Sequence, residues 1–201
     1  MSDKPTRIIT PKFRANWVFL FEPRAPQETG KKPRYSVTML FDKNTDLKPI
    51  KAAIAAALKE EYGEDSKKWP KMSFLPLKDQ ATAVRTNDQN EEYLPPGYEP
   101  GSFFMQANSY SPPGVIGPDK QTIIDPNAVY SGCYMRASVV FKAFEVSGKK
   151  GVTCYLQNVQ KIADGERLGG RVEAEDEFSA IESTDVTPTA ANEEDELAGL
   201  M

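Results

Sequence analysis

Residues 13–22, FRANWVFLFE, alternate between two faces with a period of two. One face carries Phe13, Ala15, Trp17, Phe19 and Phe21, and the other is mostly polar or aliphatic. Because period-two alternation rich in aromatic side chains fits a pleated surface buried on one side, the segment predicts a β-strand. We expect Phe19 and Phe21 to fill the core, whereas Trp17 is equally suited to the core or to a binding surface.

Three further segments predict longer strands. Residues 34–41 alternate in the same way, with one side formed by Tyr35, Val37, Met39 and Phe41. Residues 130–146 and 152–163 are two long alternating segments, joined by the basic sequence SGKKG. Two alternating segments separated by a short glycine-containing connection indicate a β-hairpin, here with a basic tip.

Residues 67–118 are irregular and rich in proline and glycine. Two short strands are predicted within them, at residues 81–86 and 102–110. A connection of this length inside a compact domain is usually functional, so we expect it to contribute to a site.

Residues 46–62 form the clearest helical pattern. Asp46 is suited to cap the N-terminus and Gly63 to end the helix, and an apolar stripe with helical spacing would pack on a sheet.

One helix, five or six strands and long loops predict a mainly β protein. We expect a small closed or partly open barrel, because closure removes exposed sheet edges.

The charges divide the chain into two parts of opposite sign. Residues 1–163 carry 23 lysines and arginines against 17 aspartates and glutamates, whereas residues 164–201 carry 2 against 12. From residue 173 onward, the sequence is too weakly apolar to offset the entropy of ordering. The sequence therefore predicts a barrel domain over residues 1–163 and a flexible acidic tail over residues 164–201.

Missing residue types disfavour several function classes. The chain has no histidine, the commonest general base, and its two cysteines form no CxxC motif for zinc. We expect neither enzymatic activity nor a cofactor, with Cys133 and Cys154 as small buried side chains in a reducing compartment. No segment resembles a signal peptide or has the roughly 20 apolar residues of a membrane span, so a cytoplasmic protein without a membrane partner is predicted.

Basic and aromatic residues interleave on the predicted strands and loop tips. An unpaired nucleic-acid strand offers phosphates to cations and base faces to aromatic rings, and each stacked base contributes about 1–3 kcal/mol without sequence preference. The interleaving therefore predicts a surface for single-stranded nucleic acid. Its candidate residues are Lys12, Arg14, Trp17, Lys31, Lys32, Arg34, Tyr35, Tyr134, Arg136, Lys149, Lys150 and Tyr155.

The C-terminal residues combine an acidic cluster with apolar side chains. The cluster is Glu193, Glu194, Asp195 and Glu196, and Leu197 follows it directly. One interpretation is a solubilising tail. The other is an intramolecular polyanion that competes for a basic groove and also docks protein partners.

Strand segments near both ends of the body, together with the acidic end, resemble the phage-type single-stranded DNA-binding proteins. The segments are TPKFRANWVFLFEPR, RYSVTMLFDK, GCYMRASVVFKAF with GVTCYLQNVQK, and EEDEL. The resemblance implies an OB-fold and sequence-independent binding of single-stranded DNA (ssDNA) in phage DNA replication or recombination, in the host cytoplasm. It also implies a tail that modulates binding and contacts replication proteins such as a polymerase or a helicase.

In a simple OB barrel the helix follows the third strand, whereas here it follows the second predicted strand. Either a short strand precedes it or the barrel is elaborated.

Two other function classes fit parts of the sequence. A structural protein of a virion or scaffold, without nucleic-acid binding, is compatible with the modest positive charge of the body. A magnesium nuclease would need carboxylates, which the loop offers as Asp79, Asp88, Glu91 and Glu92. The sequence leaves open whether copies of the chain form a homo-oligomer.

Overall fold

The computed structural model describes residues 4–25, residue 30 and residues 32–169. The predictions for Lys31 and for residues 193–197 lie outside these residues. The described ranges contain ten strands, one α-helix and three short 3-10 helices. The strands are β1 (Arg7–Ile9), β2 (Phe13–Arg24), β3 (Arg34–Phe41), β4 (Lys78–Asp79), β5 (Arg85–Thr86), β6 (Glu92–Tyr93), β7 (Phe103–Ser109), β8 (Gly114–Ile116), β9 (Tyr134–Val146) and β10 (Lys149–Ala163). The helices are α1 (Lys48–Tyr62) and the 3-10 turns Ser66–Lys68, Gln80–Ala83 and Pro126–Ala128.

Five of the strands close into a ring. The pairings run β9–β2–β3–β7–β10 and return from β10 to β9. All are antiparallel except β7–β10, which is parallel. Strand β1 pairs with β9, and β8 pairs with β10, both outside the ring. The predicted mainly β barrel is confirmed, and its closure leaves no open edge within the ring.

Strand β1 is too short to show a period in the sequence, and its presence makes α1 follow the third strand, as in a simple OB barrel. The helix begins at Lys48 rather than at the predicted Asp46, whose carboxylate accepts a hydrogen bond from the Lys48 N–H at 3.0 Å. Gly63 ends the helix with a φ of 86°, as predicted. The buried stripe of α1 includes Ile50, Ile54 and Leu58 and packs mainly on β9.

Strand β2 contains a β-bulge at Trp17, whose φ of 47° lies in the left-handed region. Three residue steps along β2, from Asn16 to Phe19, face only two steps along β3. One extra residue turns the following side chains to the opposite face of a strand. Leu20 therefore enters the core with 2% exposure, and Phe19 leaves it. The prediction that Phe19 fills the core is wrong for this reason.

Two other predicted elements differ in the structure. The strand predicted at residues 81–86 is a 3-10 helix followed by the two-residue β5, because the Asp79 carboxylate accepts a hydrogen bond from the Ala81 N–H at 2.8 Å and caps the turn. The β9–β10 hairpin turns on Ser147 and Gly148 alone, both with positive φ, as in the tight turns that match strand twist. Strand β10 consequently begins at Lys149.

The interior of the ring holds both cysteines, which are buried and not joined by a disulfide, as predicted. Burial raises the pKa of both the Cys133 and the Cys154 thiols. Within the described ranges, no helix has the length and apolar character needed to cross a membrane.

Candidate nucleic-acid interface

The outward side chains of β2, β3 and β7 lie in cross-strand register and form the floor of a groove. One row joins Phe19, Ser36 and Asn108, and the next joins Asn16, Thr38 and Gln106. The intervening residues of β3 and β7 point into the core and are fully buried. The groove has a volume of about 720 Å³. Its lining includes the aromatic Trp17, Phe19, Tyr98 and Phe104, the cationic Arg24, Arg34 and Arg85, and the polar Ser36, Thr38, Gln106 and Asn108.

Each arginine of the groove lies against an aromatic ring. The Arg85 guanidinium is 4.6 Å from the centre of the Trp17 ring, and that of Arg24 is 5.1 Å from the Phe19 ring. Arg34 lies 5.2 Å from the ring of Tyr110. A stacked guanidinium keeps its planar N–H fork available for a phosphate, so these pairs combine a base-stacking ring with a phosphate ligand.

Asn16 fixes the unusual backbone of Trp17. Its side-chain oxygen accepts a hydrogen bond from the Trp17 N–H at 2.8 Å, because the bulge withdraws that N–H from the ladder. The Asn16 amide nitrogen donates to the Pro96 carbonyl at 3.4 Å. Asn16 is 4% exposed, so this buried amide joins the floor to the chain segment that crosses the face of the barrel.

That segment, residues 80–99, forms one wall of the groove and is held by the buried Gln80. The Gln80 amide donates to the carbonyls of Phe41 and Phe103, at 3.1 and 2.8 Å, and accepts from the Glu99 N–H at 2.7 Å. The wall places Arg85 over Trp17 and sets Tyr98 edge to face against Phe104, 5.4 Å between ring centres. Burial raises the pKa of the Tyr98 phenol, which the nearby charge of Arg85 partly offsets.

A smaller recess of about 140 Å³ is bordered by the two ends of the crossing segment, at Gln80, Gly97 and Glu99. Lys12, Arg14 and Tyr134 line it, and the Lys12 ammonium is 5.1 Å from the centre of the Tyr134 ring. The Arg14 guanidinium is engaged by Glu166, donating to its carbonyl at 2.8 Å and lying 3.7 Å from its carboxylate.

Residues 164–169 pack along this recess. The Leu168 N–H donates to the Ser131 carbonyl at 2.8 Å, and the Leu168 side chain lies against Gly97. Asp164 accepts from the Lys161 ammonium at 2.6 Å and from the Tyr130 hydroxyl at 2.8 Å, and these two bonds lower the pKa of its carboxyl. The start of the predicted tail therefore lies beside Arg14.

The structure distributes the predicted site residues over several places. Trp17 and Arg34 line the groove, and Lys12, Arg14 and Tyr134 line the recess. The others line neither cavity: Lys32 and Lys149 are exposed, Arg136 donates to Gln160 at 2.8 Å, Lys150 pairs with Glu145 at 3.1 Å, and Tyr35 and Tyr155 are half-buried. Tyr155 pairs with Asn108 across the β7–β10 contact, next to the groove.

Several groove residues were absent from the sequence prediction: Phe19, Arg24, Arg85, Tyr98, Phe104, Gln106 and Asn108. The only signal for Arg85 and Tyr98 was their position in the long irregular connection, which was expected to be functional. Gln106 and Asn108 gave no signal, since neutral polar residues alternating with apolar ones describe the solvent face of any strand.

Asp79, Asp88, Glu91 and Glu92 do not form a metal site. Asp79 caps the 3-10 turn, and the Glu91 carboxylate accepts from the Asn87 amide at 3.0 Å. No group of three or more potential metal-ligating side chains occurs within residues 4–25, 30 and 32–169.

Comparison with known proteins identifies the family. Residues 6–190 match the family model described as the ssDNA-binding protein of Enterobacter phage Enc34. This chain belongs to that family. The match confirms the resemblance inferred from the strand segments, and it agrees with the prediction that the chain is not an enzyme.

Among curated proteins, this chain is similar to the putative protein p50 of Acyrthosiphon pisum secondary endosymbiont phage 1. It is 31% identical over 166 residues, covering 81% of this chain and 86% of the relative. Among solved structures, the Enc34 ssDNA-binding protein in complex with ssDNA has a TM-score of 0.65 at 23% identity, covering 83% of this chain and 91% of that one. The ssDNA-binding protein gp2.5 of bacteriophage T7 has a TM-score of 0.55 at 10% identity, covering 87% and 98%. These likenesses confirm the OB-like fold.

Proposed function

We propose that this protein binds ssDNA without sequence preference along the groove on β2, β3 and β7. The observation that carries the proposal is the set of arginine–aromatic pairs, above all Arg85 on Trp17 and Arg24 on Phe19, on one outward face of a closed barrel. The family's description and the ssDNA complex of the Enc34 protein support it.

The mechanism follows from the groove's lining. Trp17, Phe19 and Phe104 offer ring faces to bases, and any base stacks on such a ring because every base has a π-face. The arginines at the sides neutralise phosphates and release their counterions, so affinity falls steeply with salt. Lys12 and Tyr134 in the recess extend the cationic and aromatic surface beyond the crossing segment.

The acidic tail, in this proposal, competes with DNA for the same surface. Its start lies at the recess, where Glu166 already occupies the Arg14 guanidinium with a carbonyl and a carboxylate. The net charges of residues 1–163 and 164–201 are opposite, which favours this intramolecular contact at low salt. The same tail docks replication proteins such as a polymerase or a helicase when DNA displaces it.

The biological role we propose is protection of ssDNA during phage DNA replication and recombination, in the host cytoplasm. Its support is that the family and its relatives are phage proteins. A binder that accepts any base is suited to strands of every sequence that a replication fork exposes.

The test is a titration with a labelled poly-dT oligonucleotide at two salt concentrations, for the full chain and for a chain ending at residue 172. We expect binding with a log–log salt slope of about −0.7 per contacted phosphate, and tighter binding by the truncated chain at low salt. Degradation of the oligonucleotide would indicate a nuclease instead. Absence of binding by either chain in dilute buffer would reject the proposal in favour of a structural protein.

A further inference from the structure

We infer that the side-chain amides of Gln106 and Asn108 bind the Watson–Crick edges of unpaired bases, and that this contact makes the protein discriminate against duplex DNA. The inference rests on the proposed ssDNA binding in the groove and deepens it. Stacking on the rings already requires bases that have left a duplex stack. The two amides add a contact that only an unpaired base edge can make.

Both amides lie on the floor of the groove. Gln106 pairs with Thr38 and Asn108 with Ser36 across the β3–β7 ladder, and all four line the groove. Within residues 4–25, 30 and 32–169, no hydrogen bond involves either amide, so both keep their full donor and acceptor capacity. By contrast, the amides of Asn16 and Gln80 are buried in structural hydrogen bonds.

The spacing of the two amides suits successive nucleotides of an extended strand. They are two residues apart on β7, which places them about 6.8 Å apart along the strand axis. This is about twice the 3.4 Å step of a stacked B-form strand. The spacing therefore assigns each amide to a different base of a strand whose bases are spread to about twice the stacked distance.

A side-chain amide is chemically suited to any unpaired base. It presents a carbonyl acceptor beside an NH₂ donor and can rotate to exchange them. Adenine and cytosine offer a ring-nitrogen acceptor beside an amino donor on the Watson–Crick edge, and guanine and thymine offer a ring N–H beside a carbonyl. All four edges match the amide in one of its two orientations, so the contact adds no base preference.

Base pairing occupies the hydrogen-bonding groups that the amides need. In a duplex the Watson–Crick edges are occupied, and the floor amides would be left against a surface with no free partners. A phosphate is the weaker candidate ligand for these residues, because the amides are neutral and the arginines at the sides of the groove supply the charge.

The experiment uses full-length protein and four ligands of equal length: poly-dT, poly-N3-methylthymidine, an abasic strand and a DNA duplex. The N3-methyl group blocks the Watson–Crick edge while the backbone and the stacking face remain. The variant is the double substitution Gln106→Met and Asn108→Leu. Both positions face outward on β7, and the new side chains keep an apolar stem but have no amide. The matched control is Gln157→Met, an exposed amide of β10 that lines neither cavity.

We expect wild-type protein and the control variant to bind poly-N3-methylthymidine about tenfold more weakly than poly-dT, since each base loses a hydrogen bond. The double variant should bind the two strands equally and should lose part of its preference for poly-dT over a duplex. Equal wild-type affinities for the two strands would overturn the inference without the use of any variant. A double variant that loses affinity for the abasic strand would assign the amides to phosphates and overturn it too. If wild-type protein does not bind even poly-dT, the proposed function fails, and the inference fails with it.

Discussion

The guanidinium of Arg85 lies 4.6 Å from the centre of the Trp17 ring, and the two residues come from different parts of the groove. Trp17 belongs to the bulge of β2 in the floor of the groove, whereas Arg85 belongs to β5 in the segment that forms the wall of the groove. The contact joins the floor of the groove to its wall. It is the shortest of the three arginine–ring contacts of the groove, so it brings a ring for base stacking close to a cation for phosphate. It makes Trp17 the residue on which DNA binding should depend most.

Replacing Trp17 by alanine should weaken poly-dT binding by roughly 5- to 150-fold, the equivalent of about 1–3 kcal/mol for one stacked base. Fluorescence distinguishes this tryptophan from Trp69, whose indole N–H donates to the Gly63 carbonyl at 2.8 Å beyond α1. In a Trp69→Phe background, ssDNA should quench the remaining emission. In a Trp17→Phe background, emission should be unchanged, and strong quenching of Trp69 there would contradict the assignment.

The register between β2 and β3 shifts a second time between Phe19 and Arg24, so Phe19 and Phe21 have different surroundings and the same substitution should affect them differently. Phe19 lines the groove, so Phe19→Leu should weaken poly-dT binding about fivefold with little change in stability. Phe21 is partly buried against the core, so Phe21→Leu should lower the free energy of unfolding by about 1 kcal/mol and leave affinity nearly unchanged. Urea unfolding and a fluorescence titration measure the two quantities. Interchanged effects would mean that Phe21, and not Phe19, lines the groove.

The sequence predicted the framework of the fold because long strands show a clear period-two alternation of apolar and polar residues. The bounds of β3 and the end of α1 at Gly63 follow from period and from a helix-stopping glycine. Phe19 was misplaced because a bulge reverses the faces without altering the residue types around it. An inserted residue becomes visible only when the register with the neighbouring strand is known.

The site was predictable only where charge and aromatic character coincide along the chain. Trp17 and Arg34 were identified in this way, and both line the groove. Arg85 and Tyr98 could not be placed, since the hydrogen bonds of Gln80 that fold their segment onto the barrel join residues distant in sequence.

Both cysteine thiols should resist modification in the folded protein. Cys133 is 0% and Cys154 is 1% exposed, and burial raises the pKa of each thiol, which disfavours the reactive thiolate. At pH 8, an aromatic disulfide reagent should label neither cysteine in native protein and both in guanidinium chloride. Rapid labelling of one cysteine under native conditions would show that the barrel opens near it.

The contacts of Asp164 should make the anchoring of residues 164–169 sensitive to acid. The bonds from Lys161 and Tyr130 lower the pKa of the Asp164 carboxyl from its ordinary value of 3.8. Its stabilising contribution is therefore present above about pH 4 and is lost as the pH falls through the lowered pKa. The contribution is small, because the Asp164 side chain is 73% exposed and screened by solvent.

An Asp164→Asn variant tests this linkage. The wild-type Tm should exceed that of the variant above pH 4, and the difference should shrink at more acidic pH and in high salt. Glu64→Gln is the matched control, as its exposed ion pair with Lys59 lies at the end of α1, away from the recess. A Tm difference that grew on acidification would contradict the predicted sign.

Photochemical cross-linking tests most directly whether ssDNA occupies the groove on β2, β3 and β7. A poly-dT oligonucleotide carrying 5-iodouracil is bound to the full-length protein and irradiated, and the adducts are mapped by mass spectrometry. We expect adducts at aromatic residues of the groove, namely Trp17, Phe19, Tyr98 and Phe104, with fewer as salt increases. Adducts confined to the helix side, at Tyr62 or Trp69, would contradict it.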